Sequence, residues 1–220
     1  TVALLVAGKR PDLVKGLVLA DPVIMPRVYY FWKHVFPPVT WIANRNTLAR
    51  SAKKRRAEFP AFRDALESYT GRGAFASWRE PFLADYLLDG IDRVDHNSAQ
   101  SEEQTWRLTC EPKWESATFS AQRNQPWRAL RKVRKHKIPI IVLRPNRSSV
   151  ITPKVRAQII LMNQALMMKG VRGTSHFLPM EAPYEVRDAL SAFIARLVER
   201  FTLEEDSDVS RSLSIRRRRA

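Results

Sequence analysis

The residue best suited to chemistry in this 220-residue chain is His176, in the segment Gly173-Thr174-Ser175-His176-Phe177-Leu178-Pro179-Met180-Glu181-Ala182-Pro183. Imidazole can take up and return a proton near neutral pH, so it serves as a general base. Half-buried histidines often do no more than pack, and the case for a base therefore depends on context. The pattern predicts a strand over 166–171 and an amphipathic helix over 184–201, with Gly173 in the turn between them. Two packed elements would fix the backbone of His176 while its ring projects into the space above. Such a base needs a nucleophile on one side and a carboxylate that orients it on the other.

A carboxylate candidate stands near the start of the chain. Residues 1–22, TVALLVAGKRPDLVKGLVLADP, read as an apolar helix, a turn at 9–12, and a buried strand at 14–20 that ends at Asp21-Pro22. A second continuous β-branched run, 138–144, follows a basic amphipathic helix at 126–135. A loop, a helix at 153–165 and the strand before His176 come next. These αβ steps describe parallel strands with flanking helices, whose ligands bind beyond the carboxyl ends of the strands. Asp21, the loop 145–152 and His176 should therefore share one edge of the sheet.

Together the two stretches resemble the alpha/beta-hydrolase superfamily, in which "RPDLV.GLVL.DP" and, much later, "G.GHFLPME.P" recur. The resemblance covers about residues 1–26 and 126–202, and bacterial esterase-like and lipase-like members are nearest. It implies the C-terminal part of an alpha/beta-hydrolase fold with an inserted helical cap. It also implies a nucleophile in G-x-S-x-G on the turn before the first helix, with chain order nucleophile, acid, histidine. No G-x-S-x-G occurs in the chain. A longer protein is therefore expected, with nucleophile and oxyanion donors upstream of Thr1 and no activity in these residues alone. His176 takes the place of the family base.

The acid departs from the common pattern. The usual Asp position falls near Ser148, and the loop Arg144-Pro145-Asn146-Arg147-Ser148-Ser149-Val150-Ile151-Thr152-Pro153 contains no carboxylate. Asp21 is the candidate replacement, because some haloalkane-dehalogenase-like members carry their acid after this strand. An Asp-Pro pair at a strand end is also an ordinary turn and capping device, and both readings stay open. Met25, Pro26 and Tyr30, just after Asp21, are expected to line an apolar pocket. The other aromatics of the middle region, Tyr29, Phe31, Trp32, Trp41, Trp78, Trp114 and Phe119, read mainly as core, as do Met167 and Met168. Glu181 is expected to steady the start of the final helix.

The implied activity is hydrolysis of an ester-type bond in a small apolar substrate, without cofactor or metal. An Asp nucleophile would instead make the full protein a dehalogenase or epoxide hydrolase, and a silent relative could act as a binding module. The single Cys110 rules out an internal disulfide framework and fits a reducing, cytoplasmic setting. No apolar run approaches the ~20 residues a membrane-spanning helix requires. The net charge of +16 is dispersed in clusters at 53–56, 131–137 and 216–219. With no recognised binding motif, it reads as solvated surface and argues against specific nucleic-acid recognition.

The gap between the strands at 14–20 and 138–144 far exceeds a simple crossover, so it holds an insertion. Helices are expected at 27–35, 45–58, 61–70, 81–90 and 113–122, with breaks at Pro37-Pro38, Pro60 and 71–73, an exposed loop at 95–104 and a brief strand at 105–110. The organisation expected is hydrolase core over 1–26 and 126–202, a mostly helical cap over 27–125, and a disordered basic tail over 203–220. Without upstream partners the strand at 14–20 would be a sheet edge.

Overall fold

The structure is a computed structural model that describes residues 1–35, 47–95, 104–121 and 124–217. In chain order its elements are α1 (Val2–Lys9), β1 (Leu17–Ala20), α2 (Arg27–Val35), α3 (Thr47–Lys53), β2 (Glu58–Phe59) and α4 (Phe62–Tyr69). Then follow α5 (Phe82–Gly90), β3 (Ile91–Asp95), β4 (Gln104–Leu108), α6 (Pro112–Ser120), α7 (Pro126–Lys135) and β5 (Ile140–Pro145). The chain ends with α8 (Pro153–Met162), β6 (Met167–Val171), α9 (Leu178–Glu181) and α10 (Pro183–Arg217). Two compact units result, one formed by Thr1–Ile24 with Pro126–Ala220 and the other by Met25–Gln125.

The first unit is built on a parallel sheet in the order β1-β5-β6. Leu17 pairs with Ile140 and Ala20 with Leu143, while Ile141 pairs with Met167 and Pro145 with Val171. Strand β5 is a continuous apolar run because both of its faces are covered. Ile141 and Leu143 pack with Val171, Leu178, Ala182, Ala189 and Phe193, and the alternate residues Ile140 and Val142 are equally buried. Helix α7 explains one of the charge clusters. Trp127, Leu130 and Val133 are buried, whereas Arg128, Arg131, Lys132, Arg134 and Lys135 are exposed, so its cations form the solvated face of an amphipathic helix. Helix α1 lies close against it at Gly8, where a Cβ would come within 2.8 Å of the Ala129 Cα.

All three strands of this unit are shorter than expected. Strand β1 begins at Leu17, where its pairing with β5 starts: Leu17 lies opposite Ile140 and its N–H donates to the Pro139 carbonyl at 2.9 Å. Met167 and Met168 are half-buried; Met167 packs against the core as expected, and β6 ends the sheet among the described residues. The final helix continues through Arg217, across 203–217 where sequence composition suggests disorder. That composition argues against tertiary burial, but extending an existing helix avoids the nucleation cost that keeps isolated polar segments unfolded. Residues 218–220 lie outside the described residues.

Among its described residues the second unit holds more helix than strand. Its helices accompany an antiparallel sheet in the order β2-β4-β3, in which Ile91 pairs with Leu108 and Glu58 with Arg107. The brief strand expected at 105–110 is β4; its two partners were missed. Phe59, Ala65, Tyr69, Phe75, Leu83, Leu87, Ile91 and Leu108 form the core. The helix expected over 45–58 is limited to Thr47–Lys53, and Glu58 belongs to a strand. Arg55 bridges to Glu115 at 2.8 Å. Phe31, Trp32 and Trp114 are exposed rather than core. Pro37, Pro38, Trp41 and the loop 96–103 lie outside the described residues. Among the described residues no helix is long and apolar enough to cross a membrane.

Candidate active site

Asp21 is the first residue beyond β1, and its N–H still donates to the Leu143 carbonyl at 2.8 Å. Its φ of +35° lies in the left-handed region, which Asp enters more readily than most residues. The turn leaves its side chain fully buried. A buried carboxylate is costly unless hydrogen-bonded, and Asp21 is bonded from three sides. The Ser149 hydroxyl donates to Oδ1 at 2.7 Å, the Val150 N–H donates to Oδ2 at 3.0 Å, and His176 Nδ1 lies 2.9 Å from Oδ2.

The loop that lacks a carboxylate is therefore the one that holds Asp21. Ser149 is itself fixed, because its oxygen accepts the Ile151 N–H at 3.1 Å. The same loop reaches the histidine turn. The Arg147 N–H donates to the Thr174 carbonyl at 3.0 Å, and its guanidinium donates to the Gly173 carbonyl at 2.6 Å. Gly173 supplies the positive φ of +73° that this turn requires, and the Thr174 hydroxyl donates back to the Val171 carbonyl at 2.8 Å.

Burial pushes the Asp21 carboxyl upward, but the hydrogen bonds from His176, Ser149 and Val150 outweigh it and hold the group below its ordinary value. Asp21 is thus ionised at neutral pH and can only accept. Its bond to His176 accordingly places the ring proton on Nδ1 and leaves the Nε2 lone pair available. The His176 side chain keeps 37% of its exposure, so the ring is supported from behind without being enclosed. Such a pair can take a proton from a hydroxyl or thiol and stabilise the resulting imidazolium.

The structure brings Asp21 and His176 together. The other residues singled out from sequence lie at the entry to the second unit, where the Met25 N–H donates to the Tyr30 hydroxyl oxygen at 3.2 Å. Tyr30 is buried, which raises its hydroxyl pKa. Pro26 is half-buried, and its carbonyl accepts the Tyr29 N–H at 3.0 Å. Ser149, Val150 and Arg147 were missed. The short polar loop offered a weak signal for Ser149, but a backbone N–H such as that of Val150 leaves no trace in side-chain identity. Glu181 is also placed differently from expectation. It ends α9, is buried, and accepts from both the N–H and the hydroxyl of Ser175.

No protein-family model and no curated protein matches the chain. Solved structures do. A hydrolase of E-2-(acetamidomethylene)succinate superposes with a TM-score of 0.64 at 18% identity, over 88% of this chain and 62% of the other. A peroxisomal alpha-beta-hydrolase from Saccharomyces cerevisiae gives 0.68 at 17% identity, over 89% and 50%. An esterase from Mycobacterium tuberculosis gives 0.56 at 17% identity, over 88% and 57%. The chain has the alpha/beta-hydrolase fold, a parallel sheet flanked by helices. It spans about half to three fifths of the length of these structures.

Proposed function

We propose that the chain carries the base and the acid of an alpha/beta-hydrolase that cleaves an ester-type bond in a small apolar substrate. The observation that supports this reading best is the 2.9 Å bond between His176 Nδ1 and a fully buried Asp21 carboxylate. In the reading, a nucleophilic hydroxyl preceding Thr1 attacks the carbonyl while His176 Nε2 removes its proton. Asp21 keeps the imidazole in the required tautomer and stabilises its charge. His176 then returns the proton to the leaving alcohol, and water releases the acyl group by the same relay in reverse.

Residues 1–26 and 126–202 belong to the hydrolase core in this proposal. Residues 27–125 form a cap, and Met25 and Pro26 just before it, with Tyr30 inside it, contribute apolar wall, consistent with the placement of binding residues on insertions of such folds. The test is ester hydrolysis by the protein extended through the segment before Thr1, using short p-nitrophenyl esters. His176→Ala should abolish turnover above background. Asp21→Asn, which removes the negative charge and can donate its amide N–H to Nδ1 so that the wrong tautomer is held, should lower kcat by about four orders of magnitude. Hydrolysis unchanged by His176→Ala would refute the mechanism, and a loss of only a few-fold in Asp21→Asn would return Asp21 to a turn-forming role.

A further inference from the structure

The proposed base and acid leave one buried carboxylate without a part. Glu181 retains 5% of its exposure and stands five residues beyond His176. Its carboxylate instead receives both donors of Ser175: the N–H reaches Oε2, and the hydroxyl reaches Oε1 at 2.6 Å. The oxygen of that hydroxyl lies 3.5 Å from the Phe177 N–H, a long contact that it accepts. The Phe177 carbonyl in turn accepts the Glu181 N–H at 3.2 Å. Ser175 and Phe177 are the two residues flanking His176; the Glu181 side chain holds Ser175 directly, while Phe177 is held by the Glu181 backbone N–H and, through its own N–H, by the Ser175 hydroxyl.

We propose that Glu181 is a positioning residue for His176, a role that rests on His176 and Asp21 acting as a pair. A base attached to a turn has its ring placed by the backbone on either side, and displacement of about 1 Å is enough to cost a large part of catalysis. Burial of an anion here would be unfavourable without full use of its oxygens. Ser175 supplies two donors to a group that is only an acceptor, so the carboxylate matches the turn in hydrogen-bonding type as well as in reach. The clamp fixes the direction in which His176 leaves the backbone, and hence the meeting of Nδ1 with Asp21, much as outer partners orient the ligands of a metal site.

The chain as it stands can be tested without turnover, by proton NMR of the imidazole Nδ1–H. In the parent protein this proton should appear downfield of the amide region and vanish in both His176→Ala and Asp21→Asn. Glu181→Ala should leave amide dispersion native while the proton exchanges with water at least tenfold faster or broadens away. Glu181→Gln should largely restore it, since the amide oxygen can accept the Ser175 N–H and the amide nitrogen can donate to a rotated hydroxyl. A native-like Glu181→Ala protein with an unaltered Nδ1–H resonance overturns the proposal. Should Glu181→Ala fail to fold, Glu181→Asp retains the charge with a shorter reach, and an unchanged resonance there overturns it equally. Absence of the downfield proton from the parent itself would refute the His176–Asp21 pair, a failure distinct from that of Glu181.

Discussion

At the scale of single residues the decisive feature is a carboxylate held by a loop with no carboxylate of its own. Because the folded protein depresses the Asp21 pKa, its ionised form contributes stability that is fully present above the unfolded value of about 3.9. That contribution is lost as pH falls through the lower folded value. Denaturant unfolding at a series of pH values between about 6 and 3 should therefore show the parent losing stability on acidification relative to Asp21→Asn. Parallel curves for the two proteins would contradict the assignment. Asp21 was legible as the end of a strand. Whether it capped a turn or faced the histidine was not, because Ser149, Val150 and His176 lie more than a hundred residues away in sequence.

At the scale of elements, local periodicity makes helices legible in the sequence, whereas strands that depend on pairing are not. Helices α2 and α7 coincide with their expected bounds because their sequences carry their own start and stop signals. Strands β2 and β3 escaped notice. Glu58–Phe59 has no periodicity to detect, and Ile91-Asp92-Arg93-Val94-Asp95 becomes a strand by pairing with Gln104–Leu108. The contact of α1 with α7 offers a direct test of packing. A side chain at Gly8 would meet Ala129 backbone at 2.8 Å, whereas one at Gly170 meets nothing within 4 Å. Gly8→Val should cost about 1–3 kcal/mol of unfolding free energy. Gly170→Ala should stay within about 0.5 kcal/mol, both read from urea midpoints; equal effects would mean that the helices do not meet at Gly8.

For the whole molecule, charge and length set the context. The net +16 is carried in part by the outer face of α7, which has the form of a solvated helix surface rather than a reading head. Any binding to RNA or DNA should accordingly be weak, indifferent to sequence, and steeply reduced between about 50 and 200 mM salt. Fluorescence anisotropy with two unrelated oligonucleotides measures this. Tight, sequence-dependent binding that survives high salt would require a different reading of the surface. The division into two units, with the second inserted between β1 and α7, accounts for the long gap between parallel strands that the sequence displayed.

By itself the sequence determined the type of fold, through apolar runs long enough for buried parallel strands and through the two stretches around Asp21 and His176. Those signals are local, since each depends on residues within a turn or two of one another. The tertiary structure alone decided that Asp21 faces His176, that Ser149 and Val150 hold it there, and that Glu181 secures the turn through Ser175. A hydrogen bond between distant segments depends on where the strands and loops deliver its atoms, to within a few tenths of an ångström, and residue identity does not encode that delivery.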